Sequence, residues 1–152
     1  MKLAEALINR KQLKDKIKTI ENNLLQEIRV PEDENVEAEV NESMTVLNNT
    51  YFELEDINKR IHKTNYETIV DGERLSDIIL KRDIIKSKHF SKNGILIRAK
   101  TRERYTADDI KYKVTINVLD LKQEVNQLAA KFREFDVKIQ QENWKVDLME
   151  CG

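Results

Sequence analysis

Leu121, Val125, Leu128, Phe132, Phe135 and Ile139 recur at alternating steps of four and three residues, and Asn143 and Val146 continue the stripe after one slip in spacing. This is the a/d pattern of a helix that hides one narrow seam against other helices. It constrains the chain to long helices packed side by side. Only three glycines and one proline occur in 152 residues. Turns and loops favour both residues, so their scarcity argues for few connections.

The rest of the chain follows suit. A first helix is expected from Lys2 to Ile28, with Leu3, Leu7, Leu13, Ile17, Ile20, Leu24 and Ile28 on one stripe and Arg10 interrupting it. Pro31 ends that segment, because the residue before proline is pushed out of the α region. An acidic loop follows to Glu39. A second helix is expected from near Asn41, with Asn35 as an earlier possible cap and Met44, Leu47, Tyr51, Leu54, Asn58, Ile61 and Asn65 as its stripe. Tyr66 to Val70 is short and partly β-branched and runs into Asp71-Gly72, which reads as a strand ending in a turn. A third helix runs from Leu75 through Gly94 to about Lys100, with Leu75, Ile78, Ile79, Arg82, Ile85 and Phe90 as a looser stripe. Lys113 to Asn117 is a second candidate strand, which would pair antiparallel with Tyr66 to Val70. Asn117, three residues before Asp120, resembles a cap for the fourth helix.

The expected fold is therefore mainly α, in the order α-α-β-α-β-α: long antiparallel coiled-coil-like helices with a small two-stranded β ribbon, forming one domain over residues 1–152. Helices of this length present more apolar stripe than one thin layer hides, so a homo-oligomer is expected, with a protein partner as the other way to cover the seams. The ribbon must lie against the helices or extend across a subunit boundary, since an isolated one is marginal in water.

Chemistry-bearing motifs are sparse. His62 and His89 stand alone, Cys151 is the single cysteine, and no Glu-x-x-His motif is present, so neither a zinc site nor a carboxylate-bridged metal pair is expected. No glycine-rich phosphate loop and no flanked nucleophile suggests catalysis or a cofactor. The 27 basic and 28 acidic residues nearly cancel, which argues against nucleic acid as a partner. Arg98, Lys100, Arg102 and Arg104 read as a solvated helix end facing the negative pole of its dipole. No stretch approaches the roughly 18 apolar residues of a membrane span, and Met1 to Arg10 is broken by Glu5, Asn9 and Arg10. A cytoplasmic location is expected.

A handful of polar residues sit where apolar ones belong. Asn58 and Asn65 fall on the second stripe and read as register-fixing asparagines or as ligand contacts. Arg82 falls on the third stripe and needs a partner, for which Asp83, Asn58 or Asn65 serves. Asn143 and Trp144 close the fourth stripe, where Trp144 caps the seam or fills an interface. With Tyr105, these residues form either an internal polar seam or a pocket for a small anionic ligand.

Met1-Lys-Leu-Ala-Glu-Ala-Leu7, Ile57 to Asn65, Arg104-Tyr105 with Asp109-Ile-Lys111 and Val114 to Val118, and Phe132 to Asp136 with Ile139-Gln140 and Asn143-Trp144 together resemble the septicolysin-like family of small bacterial proteins. The resemblance spans nearly the whole chain. It implies a pore-forming cytolysin, and membrane as a partner only on that reading. It supplies no catalytic residues. Tyr66 to Val70 and Lys113 to Val118 are shorter than the roughly 9 to 11 residues of a transmembrane strand. The residues alone favour a non-enzymatic oligomeric helical protein, with cytolysin and small-ligand binder as alternatives.

Overall fold

A computed structural model describes residues 1–101 and 110–152. Four helices carry the fold: α1 (Leu3–Glu27), α2 (Glu37–Glu67), α3 (Leu75–Lys100) and α4 (Val118–Lys145), with β1 (Ile69–Val70) and β2 (Glu73–Arg74) between α2 and α3. The mainly α architecture with a small antiparallel ribbon is as the sequence implies. At about 1.5 Å per residue the 31-residue α2 is roughly 46 Å long. Among the described residues no helix is long and apolar enough to cross a membrane.

The ribbon itself departs from expectation. Its second strand is Glu73–Arg74, not Lys113 to Asn117. Ile69 faces Arg74 and Val70 faces Glu73 across the Asp71-Gly72 turn. Both turn residues have positive φ, 51° and 84°, as a type I′ hairpin turn requires. A two-residue loop closes at far lower entropic cost than one spanning the whole of α3, so the local partner wins. Residues 113–117 take no strand pairing.

The chain falls into two compact units. One comprises Met1–Arg74 with Gln141–Gly152, the other Leu75–Gln140.

In the first unit α1 and α2 pack together as a helical hairpin. Leu3, Ala6, Ile17 and Leu24 of α1 are buried, as are Thr50, Ile57, Ile61 and Thr64 of α2. The α2 seam is thus rotated from the expected stripe: Tyr51 and Met44 are exposed. Threonine explains the shift. The Thr50 hydroxyl donates to the Val46 carbonyl and the Thr64 hydroxyl to the Arg60 carbonyl, each at 2.7 Å, so both side chains meet their polar demand within their own helix and present a methyl group to the seam. α2 also starts earlier than Asn41, with Val36 at its N-cap and no side-chain cap bond. Glu37 and Glu39 in its first turn face the positive end of the helix dipole.

The two chain ends are tied together in this unit. The Leu3 amide donates to the Val146 carbonyl and the Leu148 amide to the Met1 carbonyl, both at 2.9 Å. Lys2 Nζ lies 2.9 Å from the Asp147 carboxylate, which holds that carboxyl below the usual range. Arg60 pairs with Glu150 at 2.5 Å.

In the second unit α3 and α4 are bridged by ion pairs, Arg82 with Asp136 and Lys92 with Glu124. Moving forward along α3 moves backward along α4, so the helices run antiparallel. Val125 and Ile139 of the heptad stripe are buried, and Leu121, Leu128, Phe132 and Phe135 are half-buried. Asn117 caps α4 as expected: its Oδ1 accepts from the Asp120 amide at 3.1 Å.

Candidate functional site

The face of α2 next to its buried seam is open. Asn48, Tyr51, Glu55, Asn58, His62 and Asn65 lie three or four residues apart and so share one side of the helix. With Arg10 of α1 they line a groove of about 1040 Å³. The stripe that the sequence places in the core is, in its polar members, this groove. Asn58 and Asn65 are half-buried there. Asn65 Oδ1 is buried with no hydrogen-bond partner. A carbonyl oxygen left without a donor costs free energy, so this position favours a group that supplies one. Glu55 and Lys59 also line the groove and pair at 2.5 Å, each holding the other in its charged form: the Glu55 carboxyl is lowered and the Lys59 ammonium raised.

The other polar residues singled out in the sequence lie elsewhere. Arg82 belongs to the second unit and does not line this groove. Its Nε donates to Asp83 at 3.1 Å and its NH1 to Asp136 at 3.0 Å. The expected Asp83 contact is present, whereas neither Asn58 nor Asn65 is the partner. Asp136 is the residue that sequence reasoning missed, along with the pair of Lys92 and Glu124. Continuing the three-four steps from Arg82 through Ile85, His89, Lys92 and Leu96 gives the actual α3 seam. Phe90, placed on that seam from the sequence, is instead 82% exposed. Asn143 is buried at 5% exposure with its Oδ1 unpartnered. Trp144 is exposed and does not seal the seam. Tyr105 lies outside the described residues. Among the described candidates, Asn58 and Asn65 share a groove that Arg82, Asp83, Asn143 and Trp144 do not line.

A second groove, of about 1190 Å³, lies in the second unit between the C-terminal half of α3 and residues 110–116. Among the described residues no group of three or more His, Cys, Asp or Glu side chains is placed to hold a metal ion.

These features define a mainly α protein built on long helix pairs, with an amide-lined groove and unusually exposed apolar side chains. The chain belongs to a family of unknown function, DUF6847, whose model matches residues 10–148. It is similar to a functionally unknown conserved protein from Corynebacterium diphtheriae, known from its crystal structure. The similarity covers 98% of this chain and 99% of that one, at 28% identity and a TM-score of 0.91. No curated protein matches the chain.

Proposed function

We propose that this protein is a non-enzymatic helical interaction protein that works as a homo-oligomer, with the outward face of α3 buried against another copy. One observation carries the reading. Leu80, Ile84, Phe90, Ile95 and Ile97 of α3 are each more than half exposed, while Leu75, Ile78 and Leu96 of the same helix are buried. A helix that is apolar on several sides belongs inside a larger structure. Leu80, Ile84 and Ile95 fall on one side of α3, about 60° wide at 100° per residue.

Sedimentation equilibrium on the full chain and on a Leu80→Lys/Ile84→Lys variant tests this. The expected result is an assembled parent and a largely monomeric variant, both with the same helical circular dichroism. A parent that stays at 18.0 kDa contradicts it.

A second reading rests on the α2 groove. Arg10 beside Asn48, Asn58 and Asn65 suits a small ligand that carries both anionic and N–H groups, the latter meeting Asn65 Oδ1. It predicts a rise in Tm on adding such a ligand, lost in Asn65→Leu.

A further inference from the structure

The segment from Ile110 to Asn117 has the composition of a strand and no strand partner. Ile110, Tyr112, Val114 and Ile116 alternate with Lys111, Lys113, Thr115 and Asn117, the period-two pattern of a half-buried strand. All four apolar members are exposed. Among the described residues, the backbone of residues 111–116 takes part in none of the turn, loop or ladder hydrogen bonds. Along its flank runs the second groove, whose other wall is Ser91, Gly94, Ile95 and Arg98 of α3.

Two features say what fills it. The first is the segment's pairing with itself. Antiparallel pairing of two copies about Val114 sets Val114 against Val114, Tyr112 against Ile116, Lys113 against Thr115 and Lys111 against Asn117. Within residues 111–117 every apolar residue then meets an apolar one, and no lysine meets a lysine. Aromatic and β-branched cross-strand pairs are favourable, and like charges directly opposite are not. Pairing about Lys113 instead would oppose the two Lys113 side chains. Pairing about Thr115 also avoids opposed lysines but leaves Tyr112 without a partner inside the segment, so the Val114 register pairs the most residues. The second feature is Gly94. Glycine in a helix interior costs about 1 kcal/mol relative to alanine, yet a Cβ at Gly94 would meet nothing within 4 Å in the single chain. The fold of one copy does not need a glycine there. A second backbone approaching the groove wall would.

We infer that residues 111–117 form an antiparallel β-pair with the same residues of a second copy, on a two-fold axis at Val114, seated in the groove beside Ser91, Gly94 and Ile95. The inference rests on the assembly proposed above and specifies its interface. Ile95 joins the two surfaces, since it lies on the outward face of α3 and also lines the groove. A two-fold pair closes on itself and so gives a discrete dimer rather than a fibre. It covers one of the two hydrogen-bonding edges of each segment.

Cysteine cross-linking in a Cys151→Ser background tests the register, with the mass of each sample measured by light scattering. Val114→Cys, Lys113→Cys and Lys111→Cys each place a thiol on the exposed segment. Only position 114 faces its own copy, at the roughly 4.5–5.5 Å Cβ separation of directly opposite residues, close to disulfide geometry. The expected result is a rapid covalent dimer from Val114→Cys and slow, collisional dimer from the other two. Thr115→Lys, which sets lysines opposite each other twice, should weaken the dimer by roughly tenfold. A dimeric protein in which the three cysteines cross-link alike, and which tolerates Thr115→Lys, overturns the strand pairing and leaves assembly through α3 standing. A parent that is monomeric overturns both.

Discussion

The Thr64 hydroxyl donates to the Arg60 carbonyl at 2.7 Å and accepts from the Met149 amide at 2.9 Å. One fully buried threonine therefore completes the hydrogen bonding of the chain's C-terminal segment while satisfying itself within α2. Thr64→Val keeps the shape and removes the acceptor, which leaves the Met149 N–H without a partner. The expected loss is about 1–3 kcal/mol in urea unfolding. Thr64→Ser, which retains the acceptor, should lose less.

Arg82 and Asp136 form an ion pair that crosses from α3 to α4. Asp136 is about a third exposed, so solvent screening keeps the pair modest. A double-mutant cycle with Arg82→Ala and Asp136→Ala should give a coupling energy of about 0.5–1 kcal/mol. Replacing both with leucine-like residues should cost little, because a packed apolar pair often equals a buried ion pair.

Gly72 sits at φ 84° in the hairpin turn. A side chain there would meet no neighbour, so the whole penalty is backbone strain. Gly72→Ala should lower stability by about 1–2 kcal/mol, read as a fall in Tm with no change in oligomeric mass.

Asp147 is held below its ordinary pKa by the Lys2 ammonium. A carboxyl with a depressed folded-state pKa stabilises the fold above its unfolded value, and the contribution disappears as pH falls through the folded value. Asp147→Asn should therefore lower Tm slightly at pH 7, and the two melting curves should converge in acid. A gap that persists below both values would show that the side chain acts by something other than charge.

Much of this fold was legible because it rests on local patterns. The a/d spacing of Leu121 to Ile139, the break at Pro31 and the Asp71-Gly72 turn each act within a few residues. Register between distant elements was not legible. Asp83 could be proposed for Arg82 because it is adjacent, whereas Asp136 depends on how α3 and α4 slide against each other. The buried face of α2 was misplaced because apolar spacing undervalues Thr50 and Thr64, whose hydroxyls are satisfied by their own helix. That error hid the groove: Asn58 and Asn65 looked like interruptions of a seam when they line an open face. The strand pattern of residues 113–117 was readable, but its partner was misassigned, because Glu73–Arg74 already completes the ribbon across a two-residue turn.

The central claim is that the apolar outward face of α3 is covered by another copy of this chain. Multi-angle light scattering on the unmodified full chain, across a hundredfold range of concentration, tests it most directly. The account predicts a mass of at least twice 18.0 kDa over the upper part of that range. A mass that stays at 18.0 kDa throughout would contradict it.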